Sequence, residues 1–153
     1  MSGNAATALV VGTIGVVVVI ALALGLSGGS TTSEVSGFRS PDPDAGPAIS
    51  GLFVDEGSSL LGIPLRSTTY RMQVVFTAPI ACLDRLVSGT TWPLADEACR
   101  TDVPIAGIVA GSGHSASGAA IVNVEREISR ECYEALRPLG AAPWPVSIEA
   151  CGD

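Results

Sequence analysis

Two stretches of this chain carry the same residues in the same order, and that duplication constrains the fold more than any other feature. Cys82–Cys99 reads CLDRLVSGTTWPLADEAC, and Cys132–Cys151 reads CYEALRPLGAAPWPVSIEAC. In each, a Leu (Leu86, Leu136) stands four residues after the first Cys, and a Trp-Pro pair follows (Trp92-Pro93, Trp144-Pro145). The Trp precedes the second Cys by seven residues, and both stretches close in Glu-Ala-Cys. Upstream, Met72 and Val74 precede Cys82 as Val122 and Val124 precede Cys132. Ile63-Pro64-Leu65 stands before the first set as Val103-Pro104-Ile105 stands before the second. An ordered match of this kind marks an internal repeat of roughly 50 residues, with units at about 60–99 and 101–151. Neither unit is large enough to bury a core alone, so the two are expected to share one.

Four Cys in so small a domain point to two disulfides and an oxidising compartment. Because each unit carries its own bracketing pair, the pairing expected is Cys82–Cys99 and Cys132–Cys151. Loops of this length contribute about 3 kcal/mol each in the chain-entropy picture. Zinc sites bring ligands in close pairs such as C-x-x-C, whereas the nearest Cys neighbours here are 17 residues apart. No metal site and no cofactor are expected.

Residues 5–26, AATALVVGTIGVVVVIALALGL, carry no charge. As a helix this run would span roughly 33 Å, enough to cross a hydrocarbon core of about 30 Å. The tail before it, residues 1–4, has no Lys or Arg, unlike the positive start of a secretory signal. A retained single-pass anchor is therefore expected, with a signal cleaved near Ser27-Gly28-Gly29 as the alternative. Ala8 and Gly12, and Ala21 and Gly25, have the small-xxx-small spacing that lets helices approach closely in lipid. Residues 27–48 are rich in Ser, Gly, Pro and Asp and read as a flexible linker. The folded domain follows at 49–153, and its cysteines place it outside the cytoplasm.

The chain has 15 acidic residues against 8 Arg and no Lys, a net charge of −7. Such a balance with few aromatics makes the domain a poor candidate for binding nucleic acid or anionic lipid, and no nucleic-acid partner is expected.

Within the domain, Thr69–Thr77 alternates Met72, Val74 and Phe76 onto one face and reads as a strand. Cys82–Val87 reads as a short helix stopped by Ser88-Gly89. Val103–Ala110 and Gly118–Val124 read as a hairpin joined by a loop at 111–118. From Glu125 the spacing of Ile128, Cys132, Ala135 and Leu136 predicts a helix, and Val146 and Ile148 a closing strand. The expected fold class is α+β, two β-β-α units with an antiparallel sheet under two disulfide-tethered helices. An all-β sandwich is the alternative.

Candidate chemistry is sparse. Gly113-His114-Ser115-Ala116-Ser117 has part of a G-x-S-x-G nucleophile elbow, but Ser117 stands where the second Gly belongs. His114 is the only His, so no separate base is available. Asp84 matches Glu134, and Glu97 matches Glu149, as duplicated carboxylates that read as solvated surface. Trp92 and Trp144 fit either core positions beside the disulfides or exposed binding platforms. With His114 they form the possible binding surface. The expectation is a non-catalytic single-pass protein of the cell membrane, held in the lipid bilayer as an accessory or scaffold subunit beside other membrane protein subunits. The alternatives are a ligand-binding module on a membrane stalk and a secreted protein.

Overall fold

The computed structural model describes residues 32–34, 38, 40–60 and 63–152. Its centre is a six-stranded antiparallel sheet built from β1 (Thr32–Glu34), β2 (Ala48–Asp55), β5 (Thr69–Ala78), β6 (Thr91–Trp92), β7 (Gly107–His114) and β8 (Ala120–Ile128). The strand order is β1-β2-β5-β8-β7-β6. A separate two-stranded ribbon, β3 (Ser59–Leu60) and β4 (Ile63–Pro64), lies in the connection between β2 and β5. One α-helix, α1 (Arg130–Leu136), follows β8, and single 3-10 segments occur at Pro43–Ala45, Ile80–Arg85, Glu97–Cys99 and Glu149–Cys151.

The register shows how the repeat is built. β5 and β8 pair over nine residue couples, and Val74 faces Val124, its own counterpart in the duplication. Each strand thus meets its copy about a local twofold axis between these two valines. The outer strands obey the same axis. Ile49 faces Val74 and Val109 faces Val124, and each outer strand then carries a bulge before Gly51 and Gly111. The counterpart of β7 is therefore β2, upstream of the Ile63-Pro64-Leu65 run that the sequence spacing aligns with Val103-Pro104-Ile105. The β3–β4 ribbon is an insertion in the first hairpin. In the second hairpin a tight turn serves the same place, with Gly118 at φ 85°, a conformation that favours glycine.

Clasping segments complete the symmetry. Val109 N–H donates to Thr90 O at 2.8 Å, and Ile49 N–H donates to Ala142 O at 2.8 Å. Thr91 faces Ile108, and Ala48 makes the matching bridge to Pro143. The chain before each Trp-Pro pair therefore lies along the first strand of the other unit.

Strand alternation sends Met72, Val74, Phe76, Val122 and Val124 to one face, where all are buried. Over that face lie both disulfides, Leu86, Leu136 and both Trp rings in one continuous core. The Phe76 and Trp92 rings meet at 5.3 Å between centroids. Each fully buried side chain of this size contributes about 1.5–3 kcal/mol.

The α+β expectation is overturned. Among the described residues there is one helix of seven residues and a dominant sheet, so the all-β alternative is nearer, as one large sheet in place of a sandwich. The helix expected at Cys82–Val87 is a 3-10 segment at Ile80–Arg85 capped by Pro79, which offers no side-chain acceptor to the first turn. The helix expected from Glu125 starts later. Strand β8 runs to Ile128 because Tyr70–Gln73 supply it with pairing partners, and Ser129 caps the helix by accepting from Cys132 N–H at 3.0 Å. The expected strand at Val146–Ile148 is irregular chain leading into a 3-10 turn. The linker expectation for 27–48 meets β1 and the 3-10 turn at Pro43–Ala45. The expected transmembrane helix is not part of the observed fold: among the described residues no helix is long and apolar enough to cross a membrane. Residues 5–26, with Ala8, Gly12, Ala21 and Gly25, lie outside the described residues.

Candidate functional site

The disulfides are Cys82–Cys99 and Cys132–Cys151, closing loops of 17 and 19 residues. Each fastens the end of its Trp-Pro segment to the element that follows its central strand. Both Trp-Pro peptide bonds are cis. Trp92 is 1 % exposed and Trp144 9 %, so both rings belong to the core and neither is a surface platform. Trp144 donates its indole Nε1–H to Pro104 O at 3.2 Å, which ties the second Trp to the chain between the units.

What the first Trp-Pro pair does build is a cleft of about 1080 Å³. One wall is the disulfide-held stretch from Pro93 to Arg100, the other is Val103–Ile108, and Glu125–Glu127 of β8 line it as well. Leu94, Val103 and Ile108 give it apolar surface, Ile108 being 45 % exposed; Glu97 and Glu127 bring exposed carboxylates and Arg100 an exposed guanidinium, with Arg126 also in the lining. A salt bridge from Arg85 Nε to Asp96 Oδ2 at 3.1 Å lies at its border. A smaller open hollow of about 200 Å³ lies where the chain before the second Trp-Pro pair meets β2, bounded by Pro41, Pro47, Ala142 and Pro143.

The face of the sheet away from the disulfides carries a polar network. Arg71 donates Nε–H to Asp55 Oδ2 at 2.9 Å and its other arm to Glu125 Oε2. Gln73 adds a bond to Glu125 Oε1 at 3.4 Å, and the guanidinium lies 5.9 Å from the centre of the Phe53 ring. Asp55 is held below the ordinary carboxylate range, first by the hydroxyl of Thr32 and then by Arg71. Sequence reasoning missed this network, although Arg71, Gln73 and Glu125 alternate with the buried residues of their strands.

His114 ends β7, exposed, at the opposite end of that strand from Trp92. The serines after it form a strand-to-strand turn, which is not the strand-to-helix geometry of a nucleophile elbow. Ser115 Oγ and Ser117 Oγ are 2.8 Å apart, and Ser115 Oγ accepts from Ala119 N–H at 3.1 Å. Ser117 donates Oγ–H to Asp44 Oδ1 at 2.6 Å and N–H to Oδ2 at 3.2 Å. Those bonds, the Ser117 hydroxyl first, lower the Asp44 pKa. Asp84, Glu97, Glu134 and Glu149 are all exposed; Glu134 accepts from Arg130 Nε–H at 2.8 Å, and Glu97 lies in the cleft. Among the described residues no three His, Cys, Asp or Glu side chains converge as metal ligands. No family model, no curated protein and no solved structure matches this chain.

Proposed function

We propose that this domain is a non-catalytic binding module that works outside the cytoplasm and holds an extended polypeptide segment in the cleft beside the first Trp-Pro pair. The observation that carries this reading is the cleft itself, about 1080 Å³ between the disulfide-held stretch after Trp92 and Val103–Ile108, several times the volume of the hollow where the chain before Trp144 crosses β2. Apolar walls and a lining in which the carboxylates Asp96, Glu97, Glu125 and Glu127 outnumber the guanidinium groups of Arg100 and Arg126 suit an occupant that alternates aliphatic and basic side chains. The two disulfides support a location in an oxidising compartment. The accessory-subunit expectation drew on residues 5–26 and has no observation among the described residues to carry it.

A random peptide library displayed on phage, panned against the purified protein, tests the reading. Enriched peptides should be rich in Arg or Lys beside Leu, Ile or Val. Their affinity should fall at least tenfold for the double variant Glu97→Arg, Ile108→Arg, whose sites are exposed, with the melting temperature unchanged. Peptides that bind this variant as well as the wild type would place binding elsewhere.

A further inference from the structure

A second surface lies on the other half of β7, away from the cleft and independent of it. The two outer strands β2 and β7 are counterparts, and their shared register equates Phe53, Val54 and Asp55 with Gly113, His114 and Ser115. Both strands are clasped at their starts by the chain before a Trp-Pro pair. At its end β2 is covered by β1, with Thr32 facing Asp55, Ser33 facing Val54 and Glu34 facing Phe53. At the end of β7 no described strand takes that place.

Among the described residues the 86–88 segment reaches this strand only at its start, through Ser88 Oγ–H to Ala110 O and Ser112 Oγ–H to Leu86 O, and no strand covers the edge beyond. Natural edge strands are blunted with charges, Pro or a covering segment. From Val103 to Val124 there is no Asp, Glu, Lys or Arg, in a chain whose net charge is −7. The glycines add a second observation. In the first unit Phe53 lays its ring over Gly51, where a Cβ would sit 2.9 Å from ring carbons. In the second unit Gly113 replaces that Phe. A Cβ at Gly113 would meet nothing within 4 Å, and one at Gly111 only Asn123 Nδ2 at 3.9 Å. Neither glycine has a left-handed φ. Gly111 belongs to the bulge, but Gly113 lies beyond it, and a strand glycine that no bulge, turn or internal contact requires often marks close approach by another backbone.

We propose that the outer edge of β7, Gly111–Ser115, is a strand-addition site whose occupant is the same strand of a second copy, antiparallel about a twofold axis. Antiparallel pairing of a strand with itself is self-complementary. The strand seated on the equivalent edge of β2 shows that this part of the fold accepts one. The charge-free run lets two strongly acidic chains approach here with the least repulsion. The two sheets would join edge to edge into one.

Sedimentation velocity of the purified full chain, from about 1 µM to about 1 mM, tests this over the range expected for a small interface. A reversible monomer–dimer equilibrium is expected. Gly113→Asp places a charge at an open position and should weaken the dimer at least tenfold. Ser112→Pro removes a backbone donor and should do the same, with circular dichroism as the check on folding. A chain that stays monomeric throughout, or a dimer indifferent to Gly113→Asp, overturns the proposal and leaves the edge to a strand from another protein.

Discussion

Three glycines of one residue type meet three different surroundings. At Gly107 a Cβ would stand 2.2 Å from Glu125 O and 2.8 Å from a Val124 methyl. The first obstacle is backbone, so Gly107→Ala should destabilise the fold by about 1–3 kcal/mol, the usual cost of overpacking. At Gly51 the obstacle is the Phe53 ring, which can turn aside, so Gly51→Ala should cost less. Gly113→Ala meets nothing and should stabilise the chain by about 0.5–1 kcal/mol, because Ala lowers the entropy lost on folding. Urea unfolding of the three variants gives the order directly, and a Gly113→Ala as costly as Gly107→Ala would contradict an open β7. At this scale much was legible beforehand. Cys, Leu and Trp occur in matched sets, and matched apolar residues have a shared core as their simplest use. The acceptor of Ser117 was not legible, because Asp44 is 73 residues away and nothing near it in sequence signals the contact.

Asp44 also fixes the behaviour of an element, the turn between β7 and β8. Its folded pKa lies below the ordinary Asp range, with the Ser117 hydroxyl as the first cause. A lowered carboxylate pKa stabilises the fold above its unfolded value, and that contribution is lost as pH falls through the folded value. Amide exchange at Ser117 should therefore be slow near neutral pH relative to the intrinsic rate, and should lose protection on acidification below the ordinary Asp range. Asp44→Asn should show weaker protection at neutral pH and no such acid step; equal protection in the variant would remove Asp44 as the clamp. Element types were harder to read than residues. In Glu125–Leu136 the helical spacing of Ile128, Cys132 and Leu136 overlaps the alternation of Val122, Val124 and Arg126. Pairing with β5 decides the contest as far as Ile128. In the first unit a similar apolar spacing yields only a 3-10 segment, since Pro79 offers no capping side chain whereas Ser129 does.

At the scale of the whole molecule, the nine-couple seam between β5 and β8 leaves neither unit a core of its own. Thermal unfolding of the described domain should be a single transition seen alike by far-ultraviolet dichroism and Trp fluorescence. The double replacement Cys132→Ser, Cys151→Ser should lower that one transition by about 3 kcal/mol and leave it undivided. A biphasic curve would mean that the units fold apart. The duplication announced a shared core, but its consequence for topology was out of reach. The matching of Pro64 with Pro104 hid the true partner of β7, because the inserted ribbon displaces β2 upstream by ten residues relative to its copy.

The reciprocal clasp carries one more consequence. Each half hands the chain before its Trp-Pro pair to the first strand of the other half, and the two meet at Val74 and Val124 as identical subunits would. Two separate half-length chains could make the same exchange, so the architecture is that of a homodimer written into one polypeptide. The run from Arg100 to Ala106 joins the two halves. Fusion frees each half from having to match its twin, and the β3–β4 ribbon and the β1 strand over the end of β2, both without a described counterpart in the second half, are where the halves differ.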